Sequence, residues 1–207
     1  MRSALHPSRL RSRLRRGRRA VTDVPLELLI IVVILAIVLP ILVVSLENYS
    51  QYQAFSNLQQ QANNVADTAI EVYDSGLNTT ILLTVTVTGS YNPYLVVGAN
   101  MLPSRIGGSL NYQAAWITYG LSSTGTGNQS VVVNDGEGPV LLTEVTCTNG
   151  AGVDLPYAQW TYAPLRLSTT PGTFPLSLTK VGPGSWYCGS RLPATYPTSF
   201  VEVEVTP

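Results

Sequence analysis

The residues able to carry chemistry are few and scattered. His6 is the only histidine, and it stands among the arginines of residues 1–20. Beyond them no imidazole is present to act as a general base, to activate a nucleophile or to bind a metal. Lys180 is the only lysine; a Ser-Lys dyad needs a serine held against it, and no spacing marks one. Asp135 and Glu137 lie in the run NDGEG without the further oxygen ligands of a calcium loop, so a solvated turn is expected there. Trp116, Trp160 and Trp186 are expected in the core rather than as a ligand platform. The expectation is a protein without catalytic, cofactor-binding or metal residues, and not an enzyme.

The stretch that organises the chain is residues 28–46, LLIIVVILAIVLPILVVSL, in which only Pro40 and Ser45 are not apolar and none is charged. As a helix it would be about 28 Å long, close to the roughly 30 Å hydrocarbon core of a bilayer. A helix apolar on every side has no place on a soluble surface. It belongs in lipid, or in something that replaces lipid.

The formal net charge of zero hides an asymmetry. Arg2, Arg9, Arg11, Arg13, Arg15, Arg16, Arg18 and Arg19 precede the span with no acid among them. After Ala20, four basic residues (Arg105, Arg166, Lys180, Arg191) stand against all twelve acids, a formal −8. Arginines beside a first span hold that end in the cytoplasm, so the C-terminal part is translocated. A basic tract can also bind nucleic acid. With an apolar span a few residues away, topology is the better explanation, and no nucleic-acid partner is expected. Cys147 and Cys188 both fall in the translocated, oxidising compartment, where an even pair reads as a disulfide. Two buried thiols remain the alternative, because pairing is not written in sequence.

No small-residue cleavage signal follows the apolar run, where a secretory signal would place one. The small residue stands before it, in Arg18-Arg19-Ala20-Val21. A basic pair, a small residue and then a span resemble the class III signal peptide of archaeal type IV pilins. The resemblance covers residues 18 to about 46. It implies that a membrane prepilin peptidase cuts between Ala20 and Val21 and leaves the apolar segment on the mature protein. Cutting after Gly17 would leave Arg18-Arg19 in front of the span. A lone glutamate at the start of the apolar run is a related pilin feature. Glu27 would be seventh in the mature chain rather than fifth, and an assembly role for it comes from the resemblance alone. The alternative is an uncleaved signal-anchor with its ectodomain outside.

Thr22 or Asp23 can cap a helix, and Pro25 suits a first turn. Pro40, deep inside, should bend or loosen the helix where subunits assemble. Tyr49, Tyr52, Phe55, Leu58, Ala62, Val65, Ala69 and Val72 then recur at steps of three and four, an amphipathic stripe. Asp74-Ser75-Gly76 supplies a stop, with Gly76 at the C-cap. In a pilin the second half of such a helix packs on its own head, and the first half packs against other subunits. A coiled-coil stalk would use the same stripe.

From residue 77 onward the texture is β. Runs at 79–88, 94–98, 110–119, 130–134, 139–148, 157–168, 174–179 and 199–206 are rich in β-branched and aromatic residues and separated by Gly, Pro, Asn and Ser clusters. The expected fold is α+β: a basic cytoplasmic leader (1–20), a long hydrophobic then amphipathic helix (21–76), and an extracellular β-sandwich (77–207). Charge is sparse in that last region, with four basic and six acidic residues. Neighbouring subunits or sugars would then have to cover it. Asn78 and Asn128 head sequons in translocated turns and are the expected glycan sites; Asn48, on the helix, should be bare.

Two functions remain. One is the structural subunit of an archaeal type IV pilus-like surface filament, a helical homopolymer served by prepilin peptidase and pilus assembly machinery, with adhesion as its role. Its precursor would sit in the cytoplasmic membrane with its N-terminus inside. The other is a membrane-anchored or filament-tip binding protein with an extracellular β-domain.

Overall fold

The computed structural model describes residues 10–89, 91–99, 112–122, 128–156, 159–168, 172–194 and 199–206, with the backbone alone for residues 10–25, 112, 113 and 168. The chain divides into two compact units, residues 1–49 and 50–207, and one helix, α1 (Leu10–Asp74), contributes to both. The helix starts upstream of the expected caps. Thr22 and Asp23 lie inside it, and so do Pro25 and Pro40. Residues 10–19 are mostly arginine and leucine, strong helix formers that carry the helix through the expected boundary.

Eleven strands follow among the described residues: β1 (Thr80–Val87), β2 (Pro93–Val97), β3 (Trp116–Leu121), β4 (Gln129–Val132), β5 (Leu142–Thr146), β6 (Thr161–Ala163), β7 (Leu165–Ser168), β8 (Gly172–Val181), β9 (Trp186–Tyr187), β10 (Ser190–Arg191) and β11 (Phe200–Val205). One sheet has the order β1-β8-β11-β5-β6, the other β4-β3-β2-β7, and β9 with β10 forms a small hairpin. All pairings are antiparallel except β11 with β5. The long helix followed by a β-rich region of packed sheets is the expected α+β layout.

The core lies where the two sheets and the second part of α1 meet. Inward residues of one sheet (Val85, Val87, Leu176, Leu178, Val201, Val203) share a cluster with those of the other (Leu95, Val97, Ile117, Leu167). Ala54, Leu58, Ala62, Val65, Ala69 and Val72 join the same cluster from α1. Four of the helix positions in that cluster are alanine, counting Ala66. This answers the stalk alternative for residues 54–72: their apolar stripe is spent inside the head. Tyr49 and Tyr52, expected in the stripe, are instead exposed, and Phe55 is half-buried with its ring 5.3 Å from that of Tyr119.

The run 157–168 was expected as one strand. Its described part is two strands, β6 and β7, in different sheets, with Pro164 between them. Proline has no amide to donate to a ladder, so the chain changes sheet there. The run 110–119 likewise becomes strand only from Trp116, after a 3-10 turn at Tyr112–Ala115. Residues 110 and 111 lie outside the described part. The hairpin β9–β10 has no apolar alternation to announce it. Its turn residues Cys188 and Gly189 both have positive φ, 47° and 66°, as a tight two-residue turn requires.

Candidate functional site

Every residue from 26 to 46 is exposed, the large apolar ones between 41% at Val38 and 67% at Leu46. It is the one described helix long and apolar enough to cross a membrane, by length and composition. The segment has no polar face of its own. Past Glu27 the one polar side chain is that of Ser45, whose hydroxyl donates to the Ile41 carbonyl at 2.8 Å. A surface of this size must be covered by something apolar. Glu27 is exposed near its start. Ala20 and Val21 are helical in backbone, and their side chains lie outside the described residues.

The sole lysine has a structural post. Lys180 Nζ donates to the Tyr73 carbonyl and, at 3.0 Å, to that of Ser75, and it lies 4.8 Å from the Tyr73 ring centroid. The last carbonyls of a helix lack partners within the helix, and a cation there also answers its dipole. Gly76 is not the left-handed residue of this terminus. Asn78 is (φ 61°), with its amide donating to the Lys180 carbonyl at 3.0 Å. An asparagine tolerates that conformation better than most. Its side chain is exposed, which leaves the Asn78 sequon open to solvent.

Cys147 and Cys188 meet as a disulfide, Cα atoms 6.0 Å apart across 41 residues of sequence. They border a second core in which Trp160 is buried and Tyr162 packs edge-on to Phe200. Trp160 donates from Nε1 to the Leu155 carbonyl at 2.9 Å, so its polar atom is satisfied inside. Trp116 and Trp186, expected in the core, are exposed instead, 39% and 64%. Each sits at an outward position of a strand, which periodicity over so short a run did not reveal. Asp135 holds a turn: its Oδ1 accepts from the amides of Glu137 (2.9 Å) and Gly138 (2.8 Å).

One buried acid is unusual. Glu202 is 6% exposed, and burial first, then the neighbouring Glu204 and Glu144, push its carboxyl up to about 8. A group in that position stays neutral at ordinary pH. Among the described residues no buried side-chain polar atom lacks a hydrogen-bond partner.

A groove on the outer face of the four-stranded sheet was not foreseen. In β2 the odd-numbered residues face the core, so Tyr94 and Val96 face out. Pairing places Arg166 of β7 on one side of Val96 and Thr118 of β3 on the other, and Gly120 beside Tyr94. The Tyr94 ring lies over Gly120: a Cβ there would come within 2.7 Å of the Tyr94 hydroxyl oxygen. That hydroxyl donates to the side-chain carbonyl of Asn128, and burial raises its pKa, which keeps the proton in place. With Asn92 and Ser122 these residues line an open depression of about 450 Å³. Among its described lining residues there is one cation, Arg166, and no acid. The signal in sequence was faint: an arginine between two leucines in a strand, on a chain with only four basic residues after Ala20.

No family model matches the sequence, and neither a curated protein nor a solved structure matches it.

Proposed function

We propose that the chain is the structural subunit of an archaeal type IV pilus-like filament, inserted in the membrane as a precursor and polymerised through its N-terminal helix on the cell surface. The observation that carries this reading is the single helix whose residues 28–46 are bare and apolar while residues 54–72 are embedded in a β-rich head. A span followed by a helix locked to its own head is what a subunit needs to leave the bilayer and bundle with copies of itself. The order Arg18-Arg19-Ala20-Val21 ahead of the apolar run supports the same reading, and so does the low charge of the head.

Cleavage after Ala20 frees the α-amine of Val21, whose reference pKa of about 7.7–8.0 leaves it largely protonated. A neighbouring subunit displaced along the filament brings that amine to Glu27, and the ion pair relieves two charges in an apolar bundle while setting the axial step. Intact-mass measurement of sheared surface material is the test. A chain beginning at Val21 is expected, and Glu27→Gln should still be inserted and cleaved yet give few filaments. A mass that retains residues 2–20, with the protein confined to the membrane, would make it an anchored binding protein instead.

A further inference from the structure

We infer that the groove over strands β2 and β3 is a binding site for an acidic saccharide, a uronic acid unit whose carboxylate is held by Arg166. The inference stands on the head alone and does not require the filament. Arg166 is exposed and makes no ion pair or hydrogen bond with any described residue, in a head that has few cations to spare. A guanidinium without a partner among the described residues, at the side of a concave surface whose described lining holds no acid, presents a planar fork of donors that matches a carboxylate.

The rest of the lining fixes the class of ligand. Tyr94 covers Gly120 with its ring, which leaves an aromatic surface on the groove side for a sugar ring to lie against. Around it stand neutral donors and acceptors suited to hydroxyls: Asn92, Thr118, Ser122 and the amide of Asn128. Because the Asn128 carbonyl already accepts from Tyr94, its NH2 group is the part free to donate to a ligand. Val96 is the only aliphatic residue among them, too little to anchor an apolar peptide side chain. Strands β2 and β3 beneath the groove are each paired on both sides, so a peptide could add as a further strand along the outer edge of β7 but not over the groove floor. A nucleic acid would need several phosphate contacts, and the described lining holds one cation.

Asn128 is also the head of a sequon, and the two roles exclude one another: a glycan on its side-chain nitrogen would fill the groove. The site therefore requires Asn128 to be bare, whereas Asn78, on the turn after α1, remains a fitting acceptor.

The test is calorimetric titration of the full-length chain in detergent with a galacturonic acid oligomer, a neutral galactose oligomer of equal length, and a short peptide with a free C-terminal carboxylate. Saturable binding of the galacturonide alone is expected. Arg166→Gln should weaken it about tenfold or more, Tyr94→Phe about threefold, and Arg191→Gln, in the β9–β10 hairpin, not at all. Arg166 is exposed and bonded to nothing described, so its variant should melt with the parent, which thermal unfolding checks. Absence of saturable binding, equal binding of the neutral oligomer, tighter binding of the peptide, or full affinity in Arg166→Gln overturns the proposal. A glycan found on Asn128 of protein from its native cells does so as well.

Discussion

The two halves of helix α1 solve opposite problems with the same backbone. Residues 28–46 are apolar all round and wholly exposed, so whatever covers them comes from outside their unit. Residues 54–72 carry one apolar stripe, and every buried position in it meets the head's own sheets. The second half is alanine-rich where it is buried, whereas the first is mostly Leu, Ile and Val, which present bulk in every direction. Pattern separates them more than hydrophobicity does. A stripe is addressed to a partner on one side; a full coat is addressed to a solvent.

The sharpest way to break this contrast is to put one substitution in both halves. Ala62 is fully buried, and Ala62→Asp should cost on the order of the head's whole stability, abolishing a cooperative melt by circular dichroism. Ala36→Asp should leave the head's melt unchanged and instead lower recovery of the chain in the membrane fraction. If both variants melt the head alike, the division is wrong.

The next effect belongs to the head alone. Glu202 titrates near 8 when folded, against an ordinary value of 4.5. Between these values the folded head holds a proton that the unfolded chain has released. Stability is therefore greatest below about pH 4.5 and falls as pH rises towards 8, by at most roughly 1.4 kcal/mol per pH unit. Glu202→Gln should flatten that slope in denaturant melts, while membrane recovery stays constant at every pH. Replacing both Cys147 and Cys188 with serine should remove about 2–4 kcal/mol from the same melts. Lys180→Met strips the donor from two helix-terminal carbonyls, for about 1–3 kcal/mol. Amide exchange should quicken in the last turn of α1 and remain unchanged over residues 26–46.

Much of this was legible because it is local. Sidedness of the helix, the β texture and the pairing of two cysteines in one compartment are properties of near neighbours or of composition. Residues 201–205, VEVEV, alternate apolar and acidic as a half-buried strand should, yet the alternation did not say that Glu202, on the acidic face, would be buried. What was lost is what the fold brings together from afar. Lys180 reaches Tyr73 across 107 residues, and no spacing hints at it. The groove takes Tyr94 and Val96 from β2, Thr118 from β3, Arg166 from β7 and Asn92, Ser122 and Asn128 from outside the strands, and each alone looks like an ordinary surface residue. The helix start lies upstream for a simpler reason: eight arginines and leucines among residues 10–19 outweigh the cap and the proline that follow them.

The central claim is that residues 26–46 end up covered by copies of themselves. Helical reconstruction of filaments sheared from cells making this chain tests it most directly. The account predicts a dry axial bundle built from residues 26–46 of many subunits, with β-rich heads around it and density beginning at Val21. Sheared fractions without such filaments, with the whole chain recovered as a membrane protein still carrying residues 1–20, would contradict it.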